Sequence, residues 1–539
     1  MKNKFYKIIL IALVMVGFNA QAQDRYLDEV FSSVTMTDSV VFATNIHILP
    51  VLFGGAPGPV ALECDIYEPA GDTLTNRPVI ILIHTGSFLP PVINGQATGS
   101  KKDSSIVNQC KRFAKKGYVA VAMDNRLGWN PTSQDQIERT STLLQAAYRG
   151  IQDAKAMVRF LRKSVAEDSN PYGIDDTKIV LGGQGTGAYI SLTYDALNDP
   201  NELNVPKFLD LTDPANPMPF VIPAIYGNID GTDSTFAPIF DTDTASPTFG
   251  QVIASIPFNI PNNPTYSNDI SMAFNMGGAI ADISWLDAGG IPIVSFHCAN
   301  DPYAPIDTGD VIVPTTGDFV VEVQGSRTVQ QYQNTYGNNP YGGWSFISDD
   351  VTTAANNNND GNDGLFVFHT PTPDTNLSPI GLPYEWGSSP WDWWDNATYD
   401  AMSVALGVTP AAGIAGINAT LGNPGMSEAL GNLYLDTIQD YLCPRMYLTL
   451  GLGTALSVND LVSKTTEIYP NPAKEFINIA SYLEKIDNVK IFNISGQNIF
   501  NKNTNSNTLN INTSNLAKGV YIVEIRANDS KTSKKIIIE

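Results

Sequence analysis

The chain has 539 residues, of which 54 are acidic and 32 basic, so its net charge is −22 and its sequence pI is about 4.5. Hydrophobic residues make up 43%, and the length allows one large domain with one or two smaller ones. An acidic chain with 4 histidines and no basic run argues against nucleic-acid binding and against docking on anionic lipid. A nucleic-acid partner is therefore excluded.

The first 22 residues have the pattern of a signal peptide. A basic start, Lys2 to Lys7, precedes an apolar stretch, Ile8 to Phe18, and Ala20 to Ala22 provides a small-x-small cleavage site. The apolar stretch is shorter than the about 20 residues that a membrane-spanning helix needs. An uncleaved anchor is the alternative. We expect export, and a mature chain without a transmembrane segment.

The chain has four cysteines, and export makes disulfides possible. Four cysteines allow three pairings, and buried free thiols are the alternative to all of them. The sequence contains no Cys-x-x-Cys motif or His/Cys cluster, so we expect no metal and no cofactor. The residues are Cys64, Cys110, Cys298 and Cys443.

From residue 467 the chain changes character. Residues 24–466 carry a net charge of −27, whereas residues 467–539 carry +2 and consist of short alternating runs separated by Asn, Gly and Ser turns. This pattern predicts an antiparallel β-sandwich of about 70 residues. Its predicted strands are Glu475–Ile479, Val489–Asn493, Leu509–Ile511, Val520–Ile525 and Lys534–Ile538.

The motifs of this tail resemble a known sorting domain. "YPNP" at its start, "IFNISGQ" in the middle, "LAKGVYIVEI" and a basic last strand are similar to the type A sorting domain of the type IX secretion system of Bacteroidetes. The resemblance implies an all-β sorting domain over residues 463–539 that is recognised by the type IX secretion machinery. It also implies export through the periplasm, followed by secretion or display on the cell surface.

Residues 60 to about 200 alternate strand-like and helix-like segments. The runs Pro78–His84 and Tyr118–Met123 are typical of strands buried on both faces, and Lys178–Leu181 is a third strand. Helices are predicted over Asp103–Gly117 and Thr140–Val165. The alternation predicts βαβ units and a doubly wound, mostly parallel sheet of the α/β class.

A glycine-rich turn follows the third of these strands. Gly183-Gln184-Gly185-Thr186-Gly187 has the spacing of G-x-S-x-G, the nucleophile elbow of α/β-hydrolases, in which a sharp turn presents a serine at a helix N-terminus. The nucleophile position is occupied here by Gly185, which has no side chain. A dinucleotide-binding loop is disfavoured because the third glycine of G-x-G-x-x-G would need a different spacing.

Two further segments resemble carboxylesterases with the α/β-hydrolase fold. His84-Thr85-Gly86-Ser87-Phe88 resembles the HGGGF oxyanion loop, whose backbone N–H groups would act together with the N–H of Thr186. Asp301 follows the strand Ile291–His297 and resembles the triad acid of dienelactone-hydrolase-like members. His297 matches a strand-end histidine that is structural in that family.

The chain order Ser, Asp, His of the family requires a base after Asp301, and His369 is the histidine that qualifies. The resemblance therefore implies an α/β-hydrolase domain over residues 23–462 with catalytic positions at Gly185, Asp301 and His369. Thr186 is a weak substitute for the nucleophile, because one residue further on its hydroxyl points elsewhere on the helix.

Two more segments are candidates for ligand contacts. Residues 200–261 form a Pro/Asn/Asp-rich insertion suited to a lid or wall over the site. Tyr384–Trp386 and Pro390–Asp395 contain four of the seven tryptophans. These are either an aromatic platform for a sugar or polymer, or the packing of an irregular segment against the core.

Gly185 removes the attacking atom of the Ser–His–Asp mechanism. Loss of a triad member leaves only about 10³–10⁴-fold catalysis over water, which is too little for a working esterase. Two functions follow from this. The first is a pseudo-esterase that binds a small-molecule ester, lipid or glycan; the alternative is an active carboxylic-ester hydrolase with an unrecognised nucleophile.

Overall fold

The computed structural model describes most of the chain. The predicted signal peptide at residues 1–22 and Tyr384–Trp386 of the tryptophan-rich segment lie outside the described residues. The described residues are 24–94, 96–241, 244–313, 317–341, 350–370, 387–405, 407, 426–452, 466–481, 485–493, 496–527 and 530–539.

Strands and helices alternate through the first part of the chain, as predicted. In chain order the strands are β1 (Val34–His47), β2 (Gly58–Pro69), β3 (Arg77–Ile83), β4 (Val119–Met123), β5 (Ile174–Gln184), β6 (Leu209–Asp210), β7 (Met218–Pro219), β8 (Thr235–Phe240), β9 (Val252–Asn259), β10 (Met272–Met276), β11 (Ala279–Ile280), β12 (Ile293–Cys298), β13 (Thr308–Ile312), β14 (Phe319–Gly325) and β15 (Leu365–Phe368). The helices are α1 (Ser104–Lys116), α2 (Gln136–Ala166), α3 (Thr186–Ala196), α4 (Pro223–Tyr226), α5 (Ser326–Tyr336), α6 (Asp350–Asn356), α7 (Asn396–Ala405) and α8 (Glu428–Thr449).

Eight of these strands form the central sheet, in the order β1-β2-β4-β3-β5-β10-β12-β15. The pairings β1–β2 and β2–β4 are antiparallel, and the pairings from β4 to β15 are parallel. Strands β3, β4, β10 and β12 are buried along their whole length, which explains why their sequences are largely apolar.

Helices cover both faces of this sheet. On one face α2 and α3 share a core with the odd-numbered residues of β3, such as Ile81. On the other face α1 and α8 pack through Phe113 and Leu442 against even-numbered residues such as Leu82. This is the doubly wound sheet of an α/β-hydrolase, as the sequence predicts.

Capping residues set where the helices begin and end. Gly117 ends α1 in the left-handed conformation, with φ of 105°, as predicted. In contrast, α2 begins at Gln136 rather than at Thr140, because the Asp135 carboxylate accepts a hydrogen bond from the N–H of Ile137 at 2.9 Å and caps the helix. The β1–β2 pair and α8 were not among the predicted elements.

The tail forms a separate unit with its own core. A three-stranded and a four-stranded antiparallel sheet pack around buried residues such as Ile479, Ile491 and Val523, which confirms the predicted all-β architecture of the tail. The strands of the tail are β16 (Thr466–Tyr469), β17 (Phe476–Ser481), β18 (Ile486–Asn493), β19 (Asn498–Ser506), β20 (Thr508–Asn512), β21 (Gly519–Ala527) and β22 (Ser530–Ile538). Of these, the polar strand β19 was not predicted.

The four cysteines are buried free thiols, so none of the three possible disulfide pairings occurs in this structure. Burial raises the pKa of the Cys443 thiol to about 12, which keeps it protonated at neutral pH.

Among the described residues, no helix combines the length and the apolar character needed to cross a membrane.

Candidate functional site

The candidate residues follow the carboxyl ends of neighbouring parallel strands. The segment His84–Phe88 follows β3, Gly185 follows β5, Asp301 follows β12 and His369 follows β15. Because parallel strands end at the same edge of a sheet, the fold places all four at one edge, where ligands of open α/β sheets bind.

The turn at Gly185 has the shape of a strained strand-to-helix elbow. Gly185 has φ of 53° and ψ of −118°, and its N–H donates to the carbonyl of Met276 at 2.9 Å. A Cβ at Gly183 would lie 2.1 Å from the carbonyl oxygen of Gly187, so a side chain there cannot fit. Glycine allows this close contact between strand and helix.

The side chain of Thr85 occupies the space beside Gly185. A Cβ built on Gly185 would lie 2.0 Å from Thr85 Oγ1 and 2.9 Å from Thr85 Cβ, closer than Cβ atoms approach other heavy atoms. The Thr85 hydroxyl has no hydrogen-bond partner among the described residues. A hydroxyl therefore lies in the space beside Gly185, and it belongs to the loop after β3 rather than to the turn itself.

The segment after Thr85 is held in a strained conformation. Gly86, Ser87 and Phe88 have φ values of 117°, 54° and 53°, which non-glycine residues rarely adopt. The Ser87 carbonyl accepts a hydrogen bond from Trp129 Nε1 at 2.6 Å, and the Gly86 carbonyl accepts one from Asn94 Nδ2 at 3.2 Å. The predicted oxyanion loop thus lies next to the turn at Gly185, and hydrogen bonds from Trp129 and Asn94 hold it there.

The side chain of His84 contacts the backbone at the start of the loop after β3. Its ring is buried, with Nδ1 2.5 Å from the carbonyl of Thr85 and Nε2 3.8 Å from the Asp124 carboxylate. Burial lowers the pKa of His84, so the imidazole is neutral at pH 7. These contacts indicate a structural role for the side chain of His84.

The side chain of Asp301 is buried in the loop after β12. Its Oδ1 accepts hydrogen bonds from the N–H groups of Tyr303 at 2.8 Å and Ala304 at 3.0 Å. Its Oδ2 accepts none among the described residues, and it lies 3.5 Å from the position that a Cβ on Gly277 would have. Burial raises the pKa of Asp301 to about 7.

His297 is a structural histidine in this arrangement, as predicted. It is fully buried, with Nδ1 2.7 Å from Ser326 Oγ and Nε2 2.8 Å from the carbonyl of Ala304. Nε2 also lies 3.9 Å from Asp301 Oδ2. Burial lowers the pKa of His297 to about 4, so the ring is neutral at pH 7 and ties the end of β12 to the loop that carries Asp301.

The structure does not bring His369 into contact with Asp301. Their strands are neighbours, and the N–H of Ala299 donates to the carbonyl of Phe368 at 2.9 Å. The His369 side chain is nevertheless exposed and makes no hydrogen bond or ion pair within the described part of the chain. The predicted base is at the right edge of the sheet, but it is not joined to the acid.

A buried acidic cluster beside the elbow was missed by the sequence analysis. Asp392 accepts hydrogen bonds from the Ser105 hydroxyl and, at 3.0 Å, from Nε2 of Gln184, the residue before Gly185. Burial raises the pKa of Asp392 to about 6, and burial together with Asp392 raises the pKa of Asp103. The sequence contained no local signal for this cluster, because its members are far apart along the chain.

The tryptophan-rich segment packs against the core in the part that the structure describes. Trp391 is fully buried, and its ring centroid lies 6.0 Å from that of Phe368. This supports packing rather than a platform for Trp391.

The insertion of residues 200–261 packs along α2, where Gln145 Nε2 donates to the carbonyl of Phe220 at 2.9 Å. Among the described residues, no cluster of His, Cys, Asp and Glu side chains could hold a metal ion.

Two protein families match the chain. Residues 64–233 match the BD-FAE family, and residues 467–539 match the secretion system C-terminal sorting domain. A search of the curated proteins gives no match.

Solved structures that match the chain include esterase 2 of Thermogutta terrifontis. Its form phosphoramylated by tabun is 15% identical with a TM-score of 0.32, and the match covers 70% of this chain and 97% of that chain. The propionate-bound form is 15% identical with a TM-score of 0.30, covering 65% of this chain and 92% of that one.

The assignment rests on the strand order of the central sheet and on the two family matches. The sorting domain indicates secretion or export to the cell surface, and interaction with the secretion machinery. The chain therefore combines an esterase-like α/β-hydrolase domain, similar to the BD-FAE family, with a C-terminal type IX secretion sorting domain.

Proposed function

We propose that the central domain is a secreted or surface-displayed pseudo-esterase, which binds a small ester, lipid or glycan and does not cleave it with a serine. The observation that carries this proposal is the pair formed by Gly185 and Thr85. The elbow has no side chain, and the space that a serine would need is filled from the neighbouring loop.

The remaining parts of the site suit recognition of a carbonyl group. The strained segment Gly86–Phe88 and the N-terminus of α3 provide backbone N–H groups at the edge of the sheet, which is where an oxyanion hole forms in this fold. Asp301 has a free carboxylate oxygen, whereas His369 is exposed and separate from it. Binding groups are thus present, and the attacking atom and the relay are not assembled.

A double variant tests this proposal. Gly185→Ser alone should stay inactive, because its Cβ would collide with Thr85, whereas Thr85→Gly with Gly185→Ser makes room for the serine. The elbow backbone is strained for serine, so we expect a cost of about 1–3 kcal/mol in the free energy of unfolding. When His369 also swings in to Asp301 and completes the relay, the double variant should gain serine-dependent hydrolysis of short p-nitrophenyl esters, which a fluorophosphonate blocks. Thr85→Gly alone is the control.

Adding His369→Ala to the double variant tests the predicted base. If His369 swings in to Asp301 when a serine is present, this third change should abolish the gained activity. A gain that survives the change would exclude His369 as the base, without affecting the assignment of the elbow.

The second candidate function is an active carboxylic-ester hydrolase, and the position of Thr85 Oγ1 favours it. In that mechanism Thr85 Oγ1 attacks the ester carbonyl carbon, its proton passes through a base to the departing alcohol oxygen, and water then hydrolyses the acyl-threonine. Thr85→Val keeps the volume and removes the hydroxyl. Wild-type hydrolysis that Thr85→Val abolishes would establish this mechanism and refute the pseudo-esterase; an inert wild type supports the pseudo-esterase.

A further inference from the structure

The four-stranded sheet of the tail has one buried face and one exposed face. Residues such as Ile491, Val523 and Ile536 lie in the core of the tail, and the residues that alternate with them lie on the other side of the sheet. We call this side the outer face. It consists of the even-numbered residues 488–492 of β18 and 520–526 of β21, and of the odd-numbered residues 531–537 of β22, which the strand pairing places side by side.

An apolar strip crosses one end of the outer face. Val520 and Ile522 are 39% and 37% exposed, and Phe492 and Ile537 are partly exposed. Phe492 lies directly opposite Ile522, and Val520 lies opposite Ile537, so these side chains form one continuous patch. A sheet face that meets water normally carries polar residues, so the strip is suited to being covered by a partner.

Basic side chains occupy much of the remaining outer face. They are Lys490, Arg526, Lys531 and Lys535, with Glu524 among them. Lys531 Nζ lies 2.7 Å from Glu524 Oε2. The other three basic side chains make no ion pair with any described residue. The outer face therefore carries positive charge without a partner next to an exposed apolar strip.

The three-stranded sheet of the tail has an exposed face of a different character. Tyr469 and Phe476 are exposed there, but each lies opposite an asparagine, Asn478 and Asn512 respectively. The paired residues of β16, β17 and β20 include no Lys or Arg. Charge therefore distinguishes the two exposed faces of the tail.

The charge of the rest of the chain indicates what kind of surface can approach the tail. Residues 24–466 carry a net charge of −27, whereas residues 467–539 carry +2. A surface with exposed carboxylates repels the central domain and attracts the tail, so the chain meets such a surface with the tail first.

We propose that the outer face is the surface by which the tail docks on a protein of the secretion machinery, and that this protein presents an apolar centre flanked by carboxylates. An apolar centre with complementary charges around it is typical of specific protein interfaces. A second copy of the tail is disfavoured as the occupant, because its outer face carries the same positive charge. The docking surface belongs to the matched sorting domain and does not depend on what the central domain binds.

The first test places the same substitution on the two exposed faces. Ile522→Asp and Phe476→Asp each put a carboxylate on a strand, at positions that are 37% and 44% exposed, so they should cost similar stability. The full-length variants are expressed in a bacterium with a type IX secretion system, and fractionation measures how much reaches the medium or the cell surface. Ile522→Asp should lower this amount about tenfold, and Phe476→Asp should leave it near that of wild type. Equal delivery of the two variants, whether normal or reduced, would overturn the proposal.

The second test changes the charge of the outer face. Lys535 is exposed, so Lys535→Glu should keep the melting transition of the tail and yet accumulate in the periplasm. Lys535→Arg keeps the charge and should be delivered normally. Lys474→Glu makes the same change in net charge at an exposed position away from the outer face, and it should also be delivered normally. Normal delivery of Lys535→Glu would refute an acidic partner.

A third test separates a protein partner from anionic lipid, which also attracts lysines. Flotation of the full-length protein with vesicles of phosphatidylglycerol and phosphatidylcholine measures lipid binding. Wild type should stay unbound, because the chain as a whole is acidic. Binding of wild type that Lys535→Glu abolishes would assign the outer face to lipid and refute the protein partner.

Discussion

The side chain of Thr85 occupies the space that a side chain at Gly185 would need. In the carboxylesterases that this chain resembles, the HGGGF loop has glycine at the position of Thr85. Their elbow has serine at the position of Gly185. With 2.0 Å between Thr85 Oγ1 and the Cβ position on Gly185, the two side chains cannot coexist in this geometry. The two differences are therefore complementary, because the loop places a hydroxyl in the space that a side chain at Gly185 would need.

Asp301 yields a prediction at the scale of one residue. Burial raises the pKa of Asp301 to about 7, above the value of about 3.9 in an unfolded chain. The folded state therefore binds the proton more tightly, and this contribution to stability is present below pH 4 and lost as the pH rises toward 7. Asp301→Asn keeps an oxygen for the N–H groups of Tyr303 and Ala304 and removes the charge.

The difference in melting temperature between Asp301→Asn and wild type is the measurement. The variant should be a few degrees more stable than wild type at pH 8, and this advantage should disappear by pH 4. The exposed Asp310→Asn is the control and should show no such trend. An Asp301→Asn variant that becomes relatively less stable as the pH rises would show that the carboxylate is ionised and stabilising.

At the scale of elements, the strained loop after β3 depends on side chains from outside it. Trp129 Nε1 donates to the carbonyl of Ser87 at 2.6 Å, across 42 positions of the chain. Positive φ at three successive residues costs free energy that such contacts must offset. The loop keeps its shape because the segment around Trp129 holds it.

Replacing Trp129 by Phe should release the loop. We expect a loss of about 0.5–1.5 kcal/mol in the free energy of unfolding, and faster amide hydrogen exchange at residues 86–88. Trp285→Phe is a matched control, because Trp285 Nε1 donates to the carbonyl of Glu202 at 3.0 Å. It should cost similar stability and leave exchange at residues 86–88 unchanged. Equal exchange in both variants would contradict a holding role for Trp129.

At the scale of the whole molecule, the central domain and the tail have separate hydrophobic cores. The central sheet has a core on each face, and the tail packs around its own residues, such as Ile479 and Ile525. The tail is also weakly basic, whereas residues 24–466 carry a charge of −27. Folding of the central domain therefore does not depend on buried residues of the tail.

Deletion of residues 467–539 should leave the central domain folded and stop its delivery. The truncated protein should keep the melting transition of the central domain and accumulate in the periplasm of the producing cell. Fractionation with an antibody against the central domain measures this. Normal amounts of truncated protein in the medium or on the cell surface would contradict the assigned role of the tail.

Much of the fold could be predicted from local patterns in the sequence. Continuous apolar runs identified β3, β4 and β12, because strands buried on both faces need apolar residues at every position. The weak alternation of β1, whose first half is mostly exposed, explains why that strand was not predicted. The spacing of glycines identified the elbow, because only glycine permits the close approach of Gly183 to Gly187.

The sequence by itself therefore determined the fold class, the turn at Gly185 and the sorting tail, since each is encoded by neighbouring residues. Only the tertiary structure decided that Thr85 fills the elbow, that Asp392 meets Gln184, and that His369 stays apart from Asp301. These contacts join residues that are distant along the chain. Local spacing sets backbone conformation and burial, but the packing of strands and helices decides which distant side chains share a volume.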